Sequence, residues 1–384
     1  MLYTLETFGG NYSGFLRLRE RRVNKIPFLT EEIKSTLLLK EQGGYDGQWY
    51  YYISYDPLLA RFADHPEIYD DIIDAPPYRY TRIGFPALTR VFSGGDPYAF
   101  PKIMILLILA FNVIGAVFFM KIVTFYKRKP YWGFLYALIP ATTACLNLGV
   151  PESIAMAFVV GGLYWYLKER FSLALLFLAC AILVRETSVL LVVLMGGFEW
   201  LKHRNLRRGV LMLAAILPLV LWKLFLTWRL FPLYGWQTFH YSPGDFTVPF
   251  KALYDLYVTN WNTSLTITGL LIYPLFIIVN LVLSFFLLRS RRDLFALALI
   301  GYSLLHLSLN YHKIWGHIRD LERTMSDGLL FVMLSFLAGS AQMHWALKYC
   351  ILAVFAGLFL YKAVASPMAA DFVAGFDLLR PLGF

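Results

Sequence analysis

Cysteine is scarce in this chain: three in 384 residues, Cys145, Cys180 and Cys350, each inside an apolar run. That placement leaves no disulfide framework and no cysteine metal spacing, so they read as small core residues. Glycine-rich phosphate loops of the nucleotide-binding kind are missing, as is Gly-x-Ser-x-Gly, so nucleotide-sugar chemistry on a soluble domain finds no support. His312 and His317 have no matching carboxylate at metal-site spacing, so zinc is not expected. Met1 to Glu20 lack a basic start followed by an apolar core and a small-residue cleavage site, so no signal peptide is expected.

What the chain has in excess is apolar side chain. Its residues are 58% hydrophobic and 17% aromatic, the mean hydropathy is +0.57, and the excess comes in long runs. The fold class expected is all-α, a polytopic membrane protein. The net charge of +10 sits in short clusters between apolar runs, as in cytoplasmic loops, so nucleic acid is not expected as a partner.

Three regions follow from the polarity. Residues 1–101 are an outer-face region of short helices carrying a candidate catalytic loop, 102–363 a transmembrane helical domain, and 364–384 a short outer-face tail. In the first region Thr30 is placed to cap a surface helix from Glu31 to about Gln42, stopped by Gly43-Gly44, and a short helix follows from Leu58. Ten apolar runs are centred on 103–125, 131–148, 153–167, 172–184, 187–201, 209–228, 266–288, 294–311, 326–339 and 346–363. Several fall short of the roughly 20 residues a lone span needs.

Alternating loops test the arrangement. Lys127-Arg128-Lys129, Lys168-Glu169-Arg170, the Lys202 to Arg208 cluster and Arg289, Arg291, Arg292 occupy every second loop if Arg185-Glu186 separates two helices. The positive-inside rule then puts these clusters in the cytoplasm and residues 1–101 on the other side. The outer face would gather Asp46, Asp56, Arg79, Arg82, Glu152, Arg185, Glu186, His240, His312, His317, Arg319, Glu322, Arg323 and Asp327. A long N-terminal segment rarely crosses a bilayer alone, so a helix upstream of Met1 is expected.

Within this inventory Asp46 lies between two glycine-bearing turns, either as an aimed carboxylate base or as an Asx-turn that shapes the loop. Asp56, before Pro57, reads as a turn or cap residue, with a catalytic carboxylate as the alternative. Trp49, Tyr50, Tyr51, Tyr52 and Tyr55 suit sugar stacking, a lipid entry or an interfacial aromatic belt. Arg79 and Arg82 suit a phosphate, a headgroup, or salt bridges to Asp70, Asp71 or Asp74. Arg185 and Glu186 must be paired, with Glu152 or with each other, or face a wet cavity. Arg319, Glu322, Arg323 and Asp327 step by three and four residues along one helical face.

Gly44-Tyr45-Asp46-Gly47-Gln48-x-Tyr50-Tyr51, then Asp56-Pro57, then Tyr78-Arg79-Tyr80-x-Arg82 with a proline after it, resembles the bacterial GT-C integral membrane glycosyltransferases. Leu183-Val184-Arg185-Glu186-Thr187 is similar to their later outer-face motif. The likeness covers the N-terminal 200 residues as motifs and the rest as hydropathy alone. It implies a GT-C-like fold of about ten transmembrane helices in a bacterial inner membrane, with the active site facing the periplasm. It also implies a hexosyl- or pentosyltransferase using a polyprenyl-phosphate-linked sugar donor and a glycan, lipid or protein acceptor. Asp46 matches the acidic position that acts as base, and the helix that anchors this loop in the family is the one expected upstream.

Residues and resemblance together mark Asp46 as catalytic and Gln48, Tyr51, Arg79, Arg82, Glu152, Arg185, Glu186, Arg319 and Arg323 as substrate-binding. No metal ligand is assigned and no cofactor is required, although a divalent ion bridging Asp46 or Glu152 to the phosphate stays open. A transporter or flippase of a lipid-linked or anionic solute is the alternative, weighed down by the absence of internal repeats and of mid-helix charge. A polymerase or ligase of lipid-linked glycans would share the substrate.

Overall fold

The computed structural model describes residues 2–41, 43–61, 69, 71–238, 246–259, 273–291, 293–310, 314–315 and 318–339. Asp70, His240, His312, His317, Cys350, the run at 346–363 and the tail at 364–384 lie outside the described residues. The described chain is almost wholly helical, as the expected all-α class requires. Among the described residues the strands are one pair of two residues each, β1 (Leu18–Arg19) and β2 (Leu39–Lys40), which run parallel, and an isolated antiparallel bridge joins Phe246 to Leu309.

Those strands correct the expected surface helix. Thr30 does cap it, its hydroxyl accepting from the Ile33 amide, but the helix spans only Glu31–Ser35. Asn11 bonds the Thr36 carbonyl at 2.7 Å and Ser13 the Leu38 amide at 2.8 Å, so the chain is drawn out of helix into β2. The expected short helix from Leu58 is instead a turn, held by the Asp56 carboxylate accepting from the amides of Ala60 and Arg61.

Helix α1 (Gly47–Tyr55) is buried along its whole length. Its tyrosines form neither a belt nor an open sugar platform: Tyr50 packs edge-on to Phe85, and Tyr51 and Tyr55 on Phe100. Gly47 makes this seat fit, since a Cβ there would lie 2.4 Å from the Leu148 carbonyl oxygen and 3.2 Å from those of Gly149 and Leu16.

Two helices are long and apolar enough to cross a membrane, α2 (Phe100–Phe125, 26 residues) and, further along, Leu206–Tyr234 with 29. At 1.5 Å per residue they reach about 39 and 44 Å, beyond the ~30 Å hydrocarbon core of a bilayer. Only a third of the first and 22% of the second is buried across their most apolar windows, unlike a soluble core helix. Leu217, Leu221, Leu224 and Trp228 form an exposed apolar stripe along the second.

The expected run at 131–148 is not one helix. A 3-10 stretch at Pro130–Tyr136 lies against α2, and a separate α3 (Pro140–Leu148) begins at a proline that has no N–H to continue the earlier turn. Next come α4 (Glu152–Leu167), α5 (Phe171–Val184), α6 (Ser188–Leu201) and α7 (Leu206–Tyr234, the second long helix). Later come α8 (Leu294–Leu307), α9 (Ile318–Thr324) and α10 (Ser326–Gly339). The ends of α4, α5, α6, α8 and α10 fall within a few residues of the apolar runs, and these helices have 14 to 16 residues, about 21 to 24 Å; α7 extends six residues past its expected run and α9 matches none.

Arg185 is extended between α5 and α6, so the Arg185-Glu186 pair does separate two helices. Helix α4 packs between α2 and α5, and α8 lies against α6 and α10. Gly84 lets the arginine-bearing segment before it close on this bundle, because a Cβ there would meet the Val184 backbone nitrogen at 2.9 Å.

Gly47→Ala is expected to destabilise the fold by about 1–3 kcal/mol, the usual cost of overpacking, since the obstacle is backbone and cannot rotate away. Thermal melting in detergent measures it, and an unchanged Tm would contradict the close seat of α1.

Candidate functional site

Asp46 sits at the N-terminus of α1 in helical backbone geometry, and its side chain makes no capping bond. The Asx-turn alternative therefore falls away: the carboxylate leaves its own helix and reaches two arginines. Oδ2 accepts from Arg323 Nη1 at 2.6 Å, and Oδ1 lies 3.2 Å from Arg79 Nη1. Asp46 retains 18% side-chain exposure, Arg79 and Arg323 12% each, so the trio is largely shielded from water but open at one edge.

Each arginine has a second acid. Arg79 also binds Asp74 through Nε at 2.8 Å, which was one of its expected alternatives. Arg323 Nε lies 3.3 Å from Glu152 Oε1, close enough for ion pairing but out of hydrogen-bond alignment. Glu152 opens α4, where the helix dipole favours a negative charge, and its other oxygen accepts from the Cys145 thiol at 3.7 Å. Tyr45 lies 5.1 Å under the Arg323 guanidinium and donates its hydroxyl to Asp320.

Beside this group Arg82 forms a bidentate pair with Glu186, at 2.8 and 2.7 Å, and binds the Tyr78 hydroxyl at 2.6 Å. Arg185 turns the other way. It pairs with Asp327 at 3.2 Å and donates to Ser326 Oγ at 2.7 Å and the Thr324 carbonyl at 2.9 Å, while Thr187 also binds Asp327. The direct ion pairs are Arg185 with Asp327, Glu186 with Arg82 and Glu152 with Arg323.

Electrostatics follow from these contacts. Burial opposes the charge on Asp46, but Arg79 and Arg323 outweigh it and hold its carboxyl well below the usual carboxylate range. Burial likewise works against Arg79, Arg82 and Arg323, and their carboxylate partners reverse it, so all three are held more firmly protonated than an isolated arginine. In this state Asp46 is a fixed anion with little proton affinity.

Of the residues marked from the sequence, Asp46, Arg79, Arg82, Glu152, Glu186 and Arg323 come together, and Arg185 stands at the rim within a saturated pair. Tyr51 does not join them: its hydroxyl is shared with Tyr55 inside the core. Gln48, two residues after Asp46 and so on the opposite side of α1, is buried with its Oε1 lacking a hydrogen-bond partner. Arg319 lies on α9 with Arg323. The face expected to run from Arg319 to Asp327 is broken at Met325, where α9 ends and α10 begins, so Asp327 serves Arg185. Asp56 has the structural role expected of it, completed by the Tyr69 hydroxyl at 2.9 Å.

Tyr45 and Asp320 were not picked out from the sequence, although one adjoins Asp46 and the other precedes Arg323 by a single helical turn. Among the described residues no group of three or more His, Cys, Asp or Glu could hold a metal ion, and Asp46 and Glu152 share Arg323. Comparison with family models, with curated proteins and with solved structures finds no match.

Arg185→Gln is expected to cost about 3–5 kcal/mol of stability, because it strands Asp327, only 1% exposed, as an unpaired buried acid. A Tm in detergent equal to wild type would show that the pair does not hold α5 to α10.

Proposed function

We propose that this chain is a membrane glycosyltransferase that moves a sugar from a lipid-phosphate donor to an acceptor hydroxyl. The single observation that carries the reading is the cluster in which Asp46 lies between Arg79 and Arg323, with Arg82 next to it. Fixed guanidiniums suit a phosphate, and a carboxylate among them suits a hydroxyl proton. The motif likeness to GT-C enzymes supports the same assignment, as do the exposed apolar faces of α2 and α7, for which a bilayer is the natural solvent. A transport pathway would want charge along the helices, whereas these groups gather where helices begin and end.

In the proposed reaction the donor phosphate approaches Arg79 and Arg323 and draws them off Asp46. The carboxylate, relieved of two cations, gains proton affinity and accepts the acceptor O–H proton. The acceptor oxygen bonds the anomeric carbon, the bond from that carbon to the phosphate oxygen breaks, and the electron pair leaves with the lipid phosphate. Arg82, tied to Glu186, borders the same space.

Transfer of labelled polyprenyl-phosphate sugar in membranes tests this. Asp46→Asn is expected to lose about 100-fold or more in rate, the scale of a general base. Arg323→Gln is expected to slow transfer and to shift the acid limb of the pH profile to higher pH. The sign follows because the limb reports protonation of Asp46, whose depressed carboxyl rises when a cation is removed. Full activity in Asp46→Asn would end its role as base.

Membrane orientation has its own test. Single cysteines at Glu41 and Arg207, both exposed, are expected to label from opposite sides of sealed vesicles. Labelling of both from one side would overturn the arrangement.

A further inference from the structure

A second polar site lies about 21 Å away along α4, at the other end of the helix that Glu152 begins. There the ends of α4 and α6 and the starts of α5, α7 and α8 enclose a cavity of about 250 Å³. Its floor holds Glu199, on the last turn of an otherwise apolar α6 and only 2% exposed. Tyr166 donates to Glu199 Oε1 at 2.5 Å, while Oε2 is buried with no hydrogen-bond partner. A buried carboxylate oxygen needs a donor, and the cavity beside it is where one would come from.

The rest of the lining carries both signs: Lys202, His203, Arg208 and Glu169 are exposed, and the half-buried Asp293 is engaged at the start of α8, where it accepts from the Phe295 amide. Just outside lies a strongly apolar surface: Trp200, Leu201, Leu206 and Val210 are each between 55% and 66% exposed. A buried acid with Lys202 and Arg208 beside it suits a ligand with both signs of charge, its cation at Glu199 and its anion at those two side chains. The apolar flank selects one with a hydrocarbon tail. The volume is below the roughly 300–1,000 Å³ of drug-sized pockets, which suits a headgroup and not a nucleotide.

We propose that this cavity binds the phosphoethanolamine headgroup of a membrane lipid, its ammonium donating to Glu199 Oε2 and its phosphate held by Arg208 and Lys202. The site is independent of the glycosyl-transfer reading and uses none of the residues in the Asp46 cluster. Phosphatidylcholine has the phosphate but no N–H to give Glu199, and phosphatidylglycerol has no cation, so the headgroups are discriminated at the buried end.

Binding of a phosphatidylethanolamine with one fluorescent acyl chain to the full chain in detergent tests the proposal, against phosphatidylcholine and phosphatidylglycerol with the same chain. Wild type is expected to prefer the ethanolamine lipid by about tenfold, the scale of one charge-assisted hydrogen bond. Glu199→Gln is expected to abolish the preference, and Arg208→Gln to weaken phosphatidylethanolamine and phosphatidylglycerol alike. Equal binding of all three lipids to wild type would overturn the proposal, as would an undiminished preference in Glu199→Gln. Should Glu199→Gln fail to fold, the exposed Arg208→Gln variant decides alone, and unchanged lipid binding there counts against the site. Soluble phosphoethanolamine binding as tightly as the lipid would overturn the assignment to a membrane source.

Discussion

The contact on which the arrangement turns is the carboxylate of Asp46 held between Arg79 and Arg323. It joins residues 277 positions apart and ties the N-terminal region to a late helix. Arg323 reaches on to Glu152 at the head of α4, so one guanidinium spans the loop before α1, α9 and the bundle. Charges this well shielded are stable only together, since removing one leaves its partner desolvated and unopposed. The glycines at 47 and 84 serve this meeting by letting backbone touch backbone where any side chain would hold the parts apart.

The division of labour along the helices is sharp. Acids and arginines gather where α4 begins and where α5 gives way to α6, while at the far ends of α4 and α6 Glu199 lies with Glu169, Lys202, His203, Arg208 and Asp293. Between the two ends α4 is apolar and closely packed, its glycines taken up by Phe177 and Leu178 of α5. Two polar ends separated by a dry middle is the pattern that a bilayer imposes on helices, because mid-helix charge would have no water to answer it.

Much of this was legible in sequence, and the rest failed for identifiable reasons. Hydropathy located the ends of most helices because desolvation acts residue by residue; it failed at 131–148, where Pro140 divides a run of uniform polarity. Asp46 stood out because glycines and an arginine-rich segment nearby are local signals. Its partner Arg323 was marked but not matched, and Arg82 with Glu186 and Arg185 with Asp327 were unreadable as pairs, since partners 104 and 142 positions apart leave no spacing to detect. The tyrosines misled for a different reason. Interfacial belts and buried cores draw on the same side chains, and only packing distinguishes them.

The charge balance of the Asp46 cluster bears on why such a group would suit the proposed reaction. A sugar phosphodiester carries one negative charge and its lipid phosphate leaves with up to two, so negative charge grows on the phosphate as the sugar departs. If Asp46 takes the acceptor proton in the same step, one negative charge vanishes there as another appears on the phosphate. In that reaction Arg79 and Arg323, already drawn onto the phosphate, meet the charge growing there while the total charge of the cluster stays constant. Nothing in the surroundings has to reorganise to meet the new anion, which is the condition under which fixed dipoles and cations lower a barrier most effectively. A lone arginine pair would bind phosphate in the ground state just as well. In the proposed reaction the neutralised carboxylate no longer competes for the arginines as charge grows on the phosphate, so their attraction to the phosphate would be stronger in the transition state than before it.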